Sequence, residues 1–289
     1  MELKTTYSLS QLRDYSALFS RNSASEWLKG NFTTIDYKIA RYDTDWLNRK
    51  NKSYSDYLKY VYKVLEKHYK NEYILKNAFL NQWLIKELGE SKSQVFNEFR
   101  VGNAVADLAM FNGISKVFEI KTELDSDKRL GTQLRYYKKA FNQIYLIVPS
   151  SKVEQYKNHD STVGIIVFDE NSINSFTCVR ESETNDIVDF ETIMDIFHTA
   201  EYREIVKLHF GQLPKMTSFN QYDICKKMIS EISPVQLSKY FTELMKKRNS
   251  NGSLSSSTHK EFNQLSLALK LTEKKRKDMI NNLKESLNI

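Results

Sequence analysis

Cysteine, proline and glycine are all scarce in this chain of 289 residues. The two cysteines, Cys178 and Cys225, are isolated in the sequence, so they predict neither a disulfide framework nor a zinc site. With only 3 prolines and 8 glycines, the chain is expected to form helices and a few strands rather than a β-sandwich or barrel. The glycines form no phosphate-binding loop motif, and the five histidines show no metal-ligand spacing. No nucleotide cofactor is therefore expected.

Long apolar runs are also missing. No window approaches the 18 or so consecutive apolar residues of a membrane span, and the longest apolar runs, such as IYLIV at 144–148, have the length of a strand. The N-terminus lacks a basic stretch followed by an apolar one, so no signal peptide is predicted and a cytoplasmic location is expected. The net charge of +7 is compatible with nucleic acid, anionic lipid or an acidic partner, and selects none of them.

Three segments can be distinguished: a helical segment at 1–70, an α/β core at 71–180 and a helical lobe with a basic tail at 190–289. The stretch 53–89 reads as helix, with a break predicted near Tyr69 to Asn71 and a stop at Gly89. Gly102 and Asn103 form a two-residue hairpin signal. The core is predicted to contain two hairpin strands, then KVFEIKT (116–122), a helix at 126–140, and strands at 143–149, 163–169 and 175–180. This order predicts an α/β fold built on a mixed sheet flanked by helices.

Two neighbouring predicted strands carry charged residues on faces that should be apolar. Glu119 and Lys121 are two residues apart and share a strand face with Val117. Asp107 falls among apolar residues of the preceding strand. A carboxylate in such surroundings costs several kcal/mol unless a partner or a metal compensates it. Two carboxylates without a nearby thiolate or imidazole suit Mg²⁺ or Mn²⁺, which can activate water and polarise a phosphodiester.

Asp107, eleven intervening residues, and then Glu119, Ile120 and Lys121 resemble the signature of the PD-(D/E)XK nuclease superfamily. NEFRVGNAVADLAMFNG, VFEIKTELD and QLRYY are similar to a little-characterised bacterial nuclease-like family within it, over about residues 70–150. The resemblance implies a restriction-endonuclease-like core, metal binding by Asp107 and Glu119, and a lysine that orients or activates the attacking water. The sequence departs from the signature at Ala106, where proline is usual.

Two further residues gain a role from the resemblance. Glu72 lies on the apolar stripe of its helix and resembles the acid that superfamily members bring to the metal; alternatively, it pairs with Lys76 one turn away. Gln133 begins a stretch that resembles the Q-x-x-x-Y helix of RecB-like nucleases, in which the glutamine faces the active site. The alternative for Gln133 is an ordinary amphipathic helix packed on the sheet.

Glu98 is a candidate on register grounds. If Gly102 and Asn103 are the two turn residues, paired residue numbers sum to 205, and Glu98 lies opposite Asp107 with both side chains on one face. Glu98 would then bind the metal through water or position Lys121. The alternative is that Arg100 neutralises Glu98 in a surface ion pair.

These residues predict a metal-dependent nuclease that cuts DNA, with RNA the less favoured substrate. The rival interpretations are a non-cleaving nucleic-acid-binding or regulatory protein with the same fold, and a scaffold whose helical lobes bind a protein partner. The segment 246–289, with ten basic and four acidic residues, is expected to contribute affinity for nucleic acid rather than chemistry. Tyrosines of the N-terminal helices could stack on bases, although tyrosines at helical spacing are more often core residues.

Overall fold

The computed structural model describes residues 6–48, 52–88, 93–123, 125–169, 175–248 and 258–287. The predicted stop at Gly89 and most of the Ser/Asn/Gly-rich stretch 248–261 lie outside the described residues. The strands are β1 (Gln94–Val101), β2 (Ala104–Phe111), β3 (Ser115–Ile120), β4 (Gln143–Pro149), β5 (Gly164–Phe168) and β6 (Phe176–Arg180). The helices are α1 (Leu9–Leu18), α2 (Arg21–Trp27), α3 (Thr33–Tyr42), α4 (Tyr54–His68), α5 (Glu72–Phe79), α6 (Ile85–Leu88), α7 (Leu130–Tyr137), α8 (Val153–Lys157), α9 (Phe190–Ile196), α10 (Thr199–Phe210), α11 (Gln221–Ile229), α12 (Pro234–Lys247), α13 (Asn263–Ala268) and α14 (Glu273–Asn282).

The chain divides into two compact units. The helical unit comprises residues 1–87 and 250–289, and the sheet unit comprises residues 88–249. This division differs from the three segments predicted from the sequence. Residues 190–249 join the sheet unit because α9 to α12 pack their apolar faces into its core, and α13 and α14 belong to the helical unit. Hydrophobic periodicity predicts that each of these helices has a buried face, but not which part of the chain covers that face.

The sheet unit contains a six-stranded mixed sheet with the strands in chain order. The strands β1, β2 and β3 form an antiparallel meander, β3, β4 and β5 run parallel, and β6 returns antiparallel. The α/β class and the mixed sheet are as predicted, and so is the turn at Gly102 and Asn103. The helix predicted at 126–140 is shorter in the structure, where it is α7.

One face of the sheet carries the larger core of this unit. Apolar residues of the strands pack there against α7 and against α9 to α12. Aromatic rings connect the layers: the ring of Phe111 on β2 meets the ring of Phe241 on α12 edge to face, with 5.4 Å between their centroids. Such pairs add about 0.5–1.5 kcal/mol beyond the burial of their area. This packing fixes the position of α12 against β2.

The helical unit has an aromatic core. Tyr15, Tyr54, Tyr57 and Tyr60 are buried, and the hydroxyl of Tyr57 donates to the buried carboxylate of Asp43 at 2.9 Å. These four tyrosines therefore serve as core residues, which was the more common of the two predicted roles. The break predicted near Tyr69 to Asn71 is present between α4 and α5. It occurs there because the side chain of Asn71 caps α5 by accepting from the backbone amide of Ile74.

No helix in the described ranges is both long and apolar enough to cross a membrane.

Candidate functional site

The end of β3 brings a carboxylate and an ammonium group together in the interior. Glu119 and Lys121 are 4% and 7% exposed, and Lys121 Nζ lies 2.8 Å from Glu119 Oε1. They share the helix-covered face of the strand with Val117, as the alternation of the strand requires. The backbone amide of Lys121 donates to the carbonyl of Ile147 on β4, which holds the lysine against the parallel part of the sheet.

Helix α7 brings two more polar side chains to Glu119. Gln133 Nε2 donates to Glu119 Oε1 at 2.7 Å, and the Tyr137 hydroxyl lies 2.8 Å from Glu119 Oε2. The ammonium of Lys121 also reaches Gln133 Oε1 at 3.3 Å. Gln133 and Tyr137 can both reach Glu119 because residues four apart on a helix face the same way. The predicted orientation of Gln133 toward Glu119 and Lys121 is thus observed.

Tyr137 is part of this group, although the sequence assigns a role in the site only to the glutamine of the Q-x-x-x-Y stretch. The QxxxY spacing was the available signal. Burial raises the pKa of the Tyr137 hydroxyl well above its usual value, and the nearby carboxylates of Glu119 and Asp107 raise it further. Tyr137 is therefore a neutral hydrogen-bond donor at physiological pH, and its electrostatic environment includes both acids of the signature.

Asp107 stands where β2 and β3 separate. The ladder between these strands ends at the pair Leu108 and Phe118. Beyond that pair, Asp107 Oδ2 accepts a hydrogen bond of 2.7 Å from the backbone amide of Ile120. A side-chain carboxylate thus replaces the carbonyl that a continuing strand would offer. This substitution places a half-buried acid beside the backbone of the residue that separates Glu119 from Lys121.

Glu98 occupies the predicted register position but has an unexpected backbone. The pairs along β1 and β2 run from Gln94 with Phe111 to Val101 with Ala104, all with the predicted sum, and omit Glu98 and Asp107. Glu98 has φ of +53°, in the left-handed region, and its side chain is exposed. The core-facing positions change parity here, since Phe99 and Val101 face the core after Glu98 whereas Phe96 packs against it before. The regular pairing expected of Glu98 and Asp107 is therefore absent from the ladder, because the strand is distorted at this pair.

Glu72 belongs to the helical unit, at the first position of α5. It forms an ion pair with Lys76, one turn along the helix. The Glu72 side chain is 62% exposed, whereas that of Lys76 is 4% exposed. The alternative interpretation of Glu72, as the partner of Lys76, is therefore observed. Asp107, Glu119, Lys121 and Gln133 all lie in the sheet unit.

The donor set can be compared with what a divalent cation requires. In the part of the chain that the structure describes, no group of three or more His, Cys, Asp or Glu side chains is arranged to hold a metal. Two carboxylates on adjacent strands with a neighbouring amide oxygen nevertheless fit Mg²⁺, which commonly takes one or two protein carboxylates and completes its shell with water and substrate phosphate. Asp107 and Glu119 are the residues that would hold such an ion.

Comparison with known proteins relates most of this chain to a phage protein family. The family model for bacteriophage P4 protein cII matches residues 65–286, which include Asp107, Glu119, Lys121 and Gln133. Protein cII of Enterobacteria phage P4 is 38% identical over 96 residues, or 32% of this chain. That match spans 36% of the length of the phage protein. A protein of unknown function from Silicibacter pomeroyi aligns with 48% of this chain and 94% of its own length, at 14% identity and a TM-score of 0.31. Because the family model covers more than half of it, the chain belongs to the phage P4 protein cII family.

Proposed function

We propose that this member of the phage P4 protein cII family is a metal-dependent nuclease that hydrolyses phosphodiester bonds in DNA, and that its sheet unit is a restriction-endonuclease-like core. The observation that carries the proposal is the group formed by Asp107, Glu119, Lys121 and Gln133 at the end of β3. Buried ionisable residues are costly to a fold and occur preferentially at functional sites. The resemblance of these residues to the PD-(D/E)XK signature is the reason for proposing metal-dependent hydrolysis of phosphodiesters.

Each side chain has a distinct role in the proposed reaction. Asp107 and Glu119 supply the oxygen ligands for Mg²⁺ or Mn²⁺. The bound ion supplies Lewis acidity and lowers the pKa of coordinated water. Lys121 directs one ammonium hydrogen to Glu119 and another to Gln133. Its third hydrogen has no acceptor among the described residues, so it is available to a phosphate oxygen or to the attacking water. Tyr137 keeps the Glu119 carboxylate oriented through its hydroxyl.

Cleavage assays with the full chain test this proposal. Supercoiled plasmid, linear duplex, single-stranded DNA and RNA are incubated with the protein in Mg²⁺, Mn²⁺ or EDTA. The variants Asp107→Asn, Glu119→Gln and Lys121→Met are compared with Glu243→Gln and Lys246→Met, an ion pair on α12 between an exposed glutamate and a half-buried lysine, with N–O separation of 3.1 Å. We expect metal-dependent cleavage by the wild type and by both α12 variants, and a loss of about 100-fold or more in each site variant. Undiminished cleavage by Asp107→Asn or Glu119→Gln rejects the assignment.

One observation favours a second function, in which the chain binds DNA without cutting it. Glu119 accepts from three donors, Lys121, Gln133 and Tyr137, and its negative charge is already compensated by the lysine. A carboxylate satisfied in this way does not need a metal. Titration of Mn²⁺ followed by electron paramagnetic resonance separates the two functions without depending on cleavage. The nuclease requires a bound ion, so the wild type should lower the signal of free Mn²⁺ and Asp107→Asn should not. If the chain binds DNA without cutting it, the wild type and Asp107→Asn should leave the same signal of free Mn²⁺.

A further inference from the structure

Helix α7 has a second face that the proposed chemistry does not use. The segment 128–139, KRLGTQLRYYKK, which comprises this helix and the two residues on either side of it, contains five basic residues and no acidic one. Two of the five have acidic partners within the sheet unit, since Lys138 pairs with Asp160 and Lys139 lies 3.9 Å from Asp189. The remaining three, Lys128, Arg129 and Arg135, are exposed. None of these three contacts a carboxylate within the described ranges.

We call these three residues the α7 cationic face. They are the basic residues of the segment whose charge no carboxylate of the sheet unit compensates in the described ranges. Arg135 donates to the Thr132 hydroxyl at 3.1 Å, so its guanidinium is steadied on the surface of the helix without being neutralised. Gly131 lies in the same exposed stretch, and the space that a Cβ atom would occupy there is open. A surface with three uncompensated cations attracts a polyanion.

The same helix connects this face to the site. Gln133 is half-buried, contacts both Glu119 and Lys121, and lies at the boundary between the exposed and buried sides of α7. An α-helix is about 10 Å across with its side chains, so a strand lying on the cationic face is within one helix diameter of the carboxylates. The carboxylates of Asp107 and Glu119 by themselves repel phosphates. Basic side chains close to them offset that repulsion.

We propose that the α7 cationic face binds the sugar-phosphate backbone of DNA and directs it toward Glu119 and Lys121. This inference rests on the proposed function for the identity of the polyanion, but it concerns binding and not cleavage. The three cations contact phosphates, which are common to every sequence, so the face contributes affinity without base specificity.

Fluorescence anisotropy with labelled duplex and single-stranded DNA in EDTA measures binding without turnover. The variant Lys128→Gln, Arg129→Gln, Arg135→Gln is expected to bind about tenfold or more weakly at moderate salt, and the slope of log K against log salt should fall by about 2 to 3. The matched control is Lys207→Gln, Lys227→Gln, Lys239→Gln, three exposed lysines of the sheet unit on α10, α11 and α12. The control removes the same charge, and its affinity should change by less than about threefold.

Gly131 provides an independent variant. Because nothing lies within 4 Å of the position of its Cβ, Gly131→Glu and Gly131→Gln should both fold, as judged by circular dichroism and thermal unfolding. We expect Gly131→Glu to bind DNA markedly more weakly than Gly131→Gln, since the two side chains differ in charge and hardly in size. Equal affinity of these two variants, or equal loss in the α7 and control triple variants, overturns the proposal.

The results for binding and cleavage can be told apart. A chain that binds DNA through the α7 cationic face and never cuts it contradicts the proposed hydrolysis and retains this inference. A chain that cuts DNA in a metal-dependent manner, with DNA binding unaffected by the α7 variants, supports the proposed nuclease activity and contradicts DNA binding by the α7 cationic face.

Discussion

At the scale of single residues, the partners of Glu119 and Lys121 make the two sides of this ion pair unequal. Glu119 accepts from Gln133 and Tyr137 as well as from the lysine. The only other acceptor that Lys121 reaches in the described residues is Gln133 Oε1, at 3.3 Å. Loss of the lysine therefore leaves a carboxylate with two good donors, whereas loss of the carboxylate leaves a buried ammonium with one long hydrogen bond. From the sequence alone, the two acids form a like-charged cluster, and removal of one carboxylate is expected to leave the fold intact.

We predict that Glu119→Leu destabilises the chain more than Lys121→Met does. Breaking a buried ion pair by removing one partner costs about 3–5 kcal/mol, and Glu119→Leu should approach that range while Lys121→Met stays below it. Urea unfolding of the two single variants and the double variant gives the free energies and the coupling between the sites. Equal destabilisation by the two single variants would contradict the asymmetry that we derive from their hydrogen bonds.

The backbone of Glu98 leads to a second prediction. A non-glycine residue in the left-handed region carries a strain of about 1–2 kcal/mol, which glycine does not. Glu98→Gly should therefore raise the free energy of unfolding by about 1 kcal/mol, and Glu98→Gln should leave it nearly unchanged. If the carboxylate assists the metal or Lys121, both variants lose cleavage by about tenfold or more.

Stability and cleavage together decide the role of Glu98. A glycine variant that is more stable and fully active makes Glu98 a feature of the hairpin only. A glycine variant that is more stable and impaired, with the glutamine variant equally impaired, shows that the carboxylate is retained for function at the cost of backbone strain.

The parts of the site that the sequence predicted are those that depend on strand and helix periods. The period of two placed Glu119 and Lys121 on one face, and the hairpin signal at Gly102 and Asn103 gave the register of β1 and β2. The left-handed conformation of Glu98 could not be predicted, because glutamate has no preference for it and position 98 carries neither glycine nor asparagine.

At the scale of elements, the contact between the β1–β2 turn and α7 sets the distance between the two halves of the site. Gly102 has φ of +54°, and a Cβ there would lie 2.5 Å from the ring of Tyr136. The side chain of Asn103 donates to the Tyr136 hydroxyl at 3.1 Å. The turn is thereby fixed to the residue that precedes Tyr137, so the hairpin that carries Asp107 and the helix that carries Gln133 are positioned together.

We predict that Gly102→Ala lowers stability by about 2–4 kcal/mol, because the strained backbone and the collision with Tyr136 both contribute. Cleavage should fall by about tenfold or more if the displaced turn shifts Asp107 relative to Glu119. Combining it with Tyr136→Ala removes the collision but not the backbone strain. The double variant should therefore lose less stability than the sum of the two single losses, as measured by urea unfolding. Strict additivity would show that the turn and α7 are not coupled.

Element boundaries were predicted where a local signal marks them. The cap at Asn71 and the turn at Gly102 and Asn103 are signals of this kind. Helix α7 is shorter than predicted because its start at Leu130 follows Arg129, which makes no side-chain cap, so the sequence contained no sign of where the helix begins. Its apolar positions fixed the buried face correctly.

At the scale of the whole molecule, the helical unit is discontinuous in sequence. Its core combines residues of α1 to α5 with Phe262, Leu265, Leu271, Met279 and Leu283 from the end of the chain. The hydrophobic pattern indicates that this last segment has an apolar side, but it does not identify what packs against that side. The sequence therefore predicted a single lobe for 190–289, whereas residues 250–289 belong to the helical unit. One of its cations is also structural, since the guanidinium of Arg276 is buried and donates to the carbonyl of His259 at 3.1 Å.

Truncation after Asn249 therefore tests the architecture rather than the contribution of the basic segment to affinity. Removing five buried apolar side chains at about 1.5–3 kcal/mol each costs about as much as the whole stability of a domain, so we predict that the helical unit unfolds. Circular dichroism should show the loss of helix, and limited proteolysis should cleave within residues 6–87. The matched variant Lys274→Gln, Lys275→Gln removes two exposed charges of α14 and keeps its buried residues. That variant should fold like the wild type, and the slope of log K against log salt should fall by about 1 to 2 if α14 contacts phosphates. An unchanged slope shows that the exposed side of α14 is a solvated surface. A truncated chain that keeps residues 6–87 resistant to protease contradicts the discontinuous core.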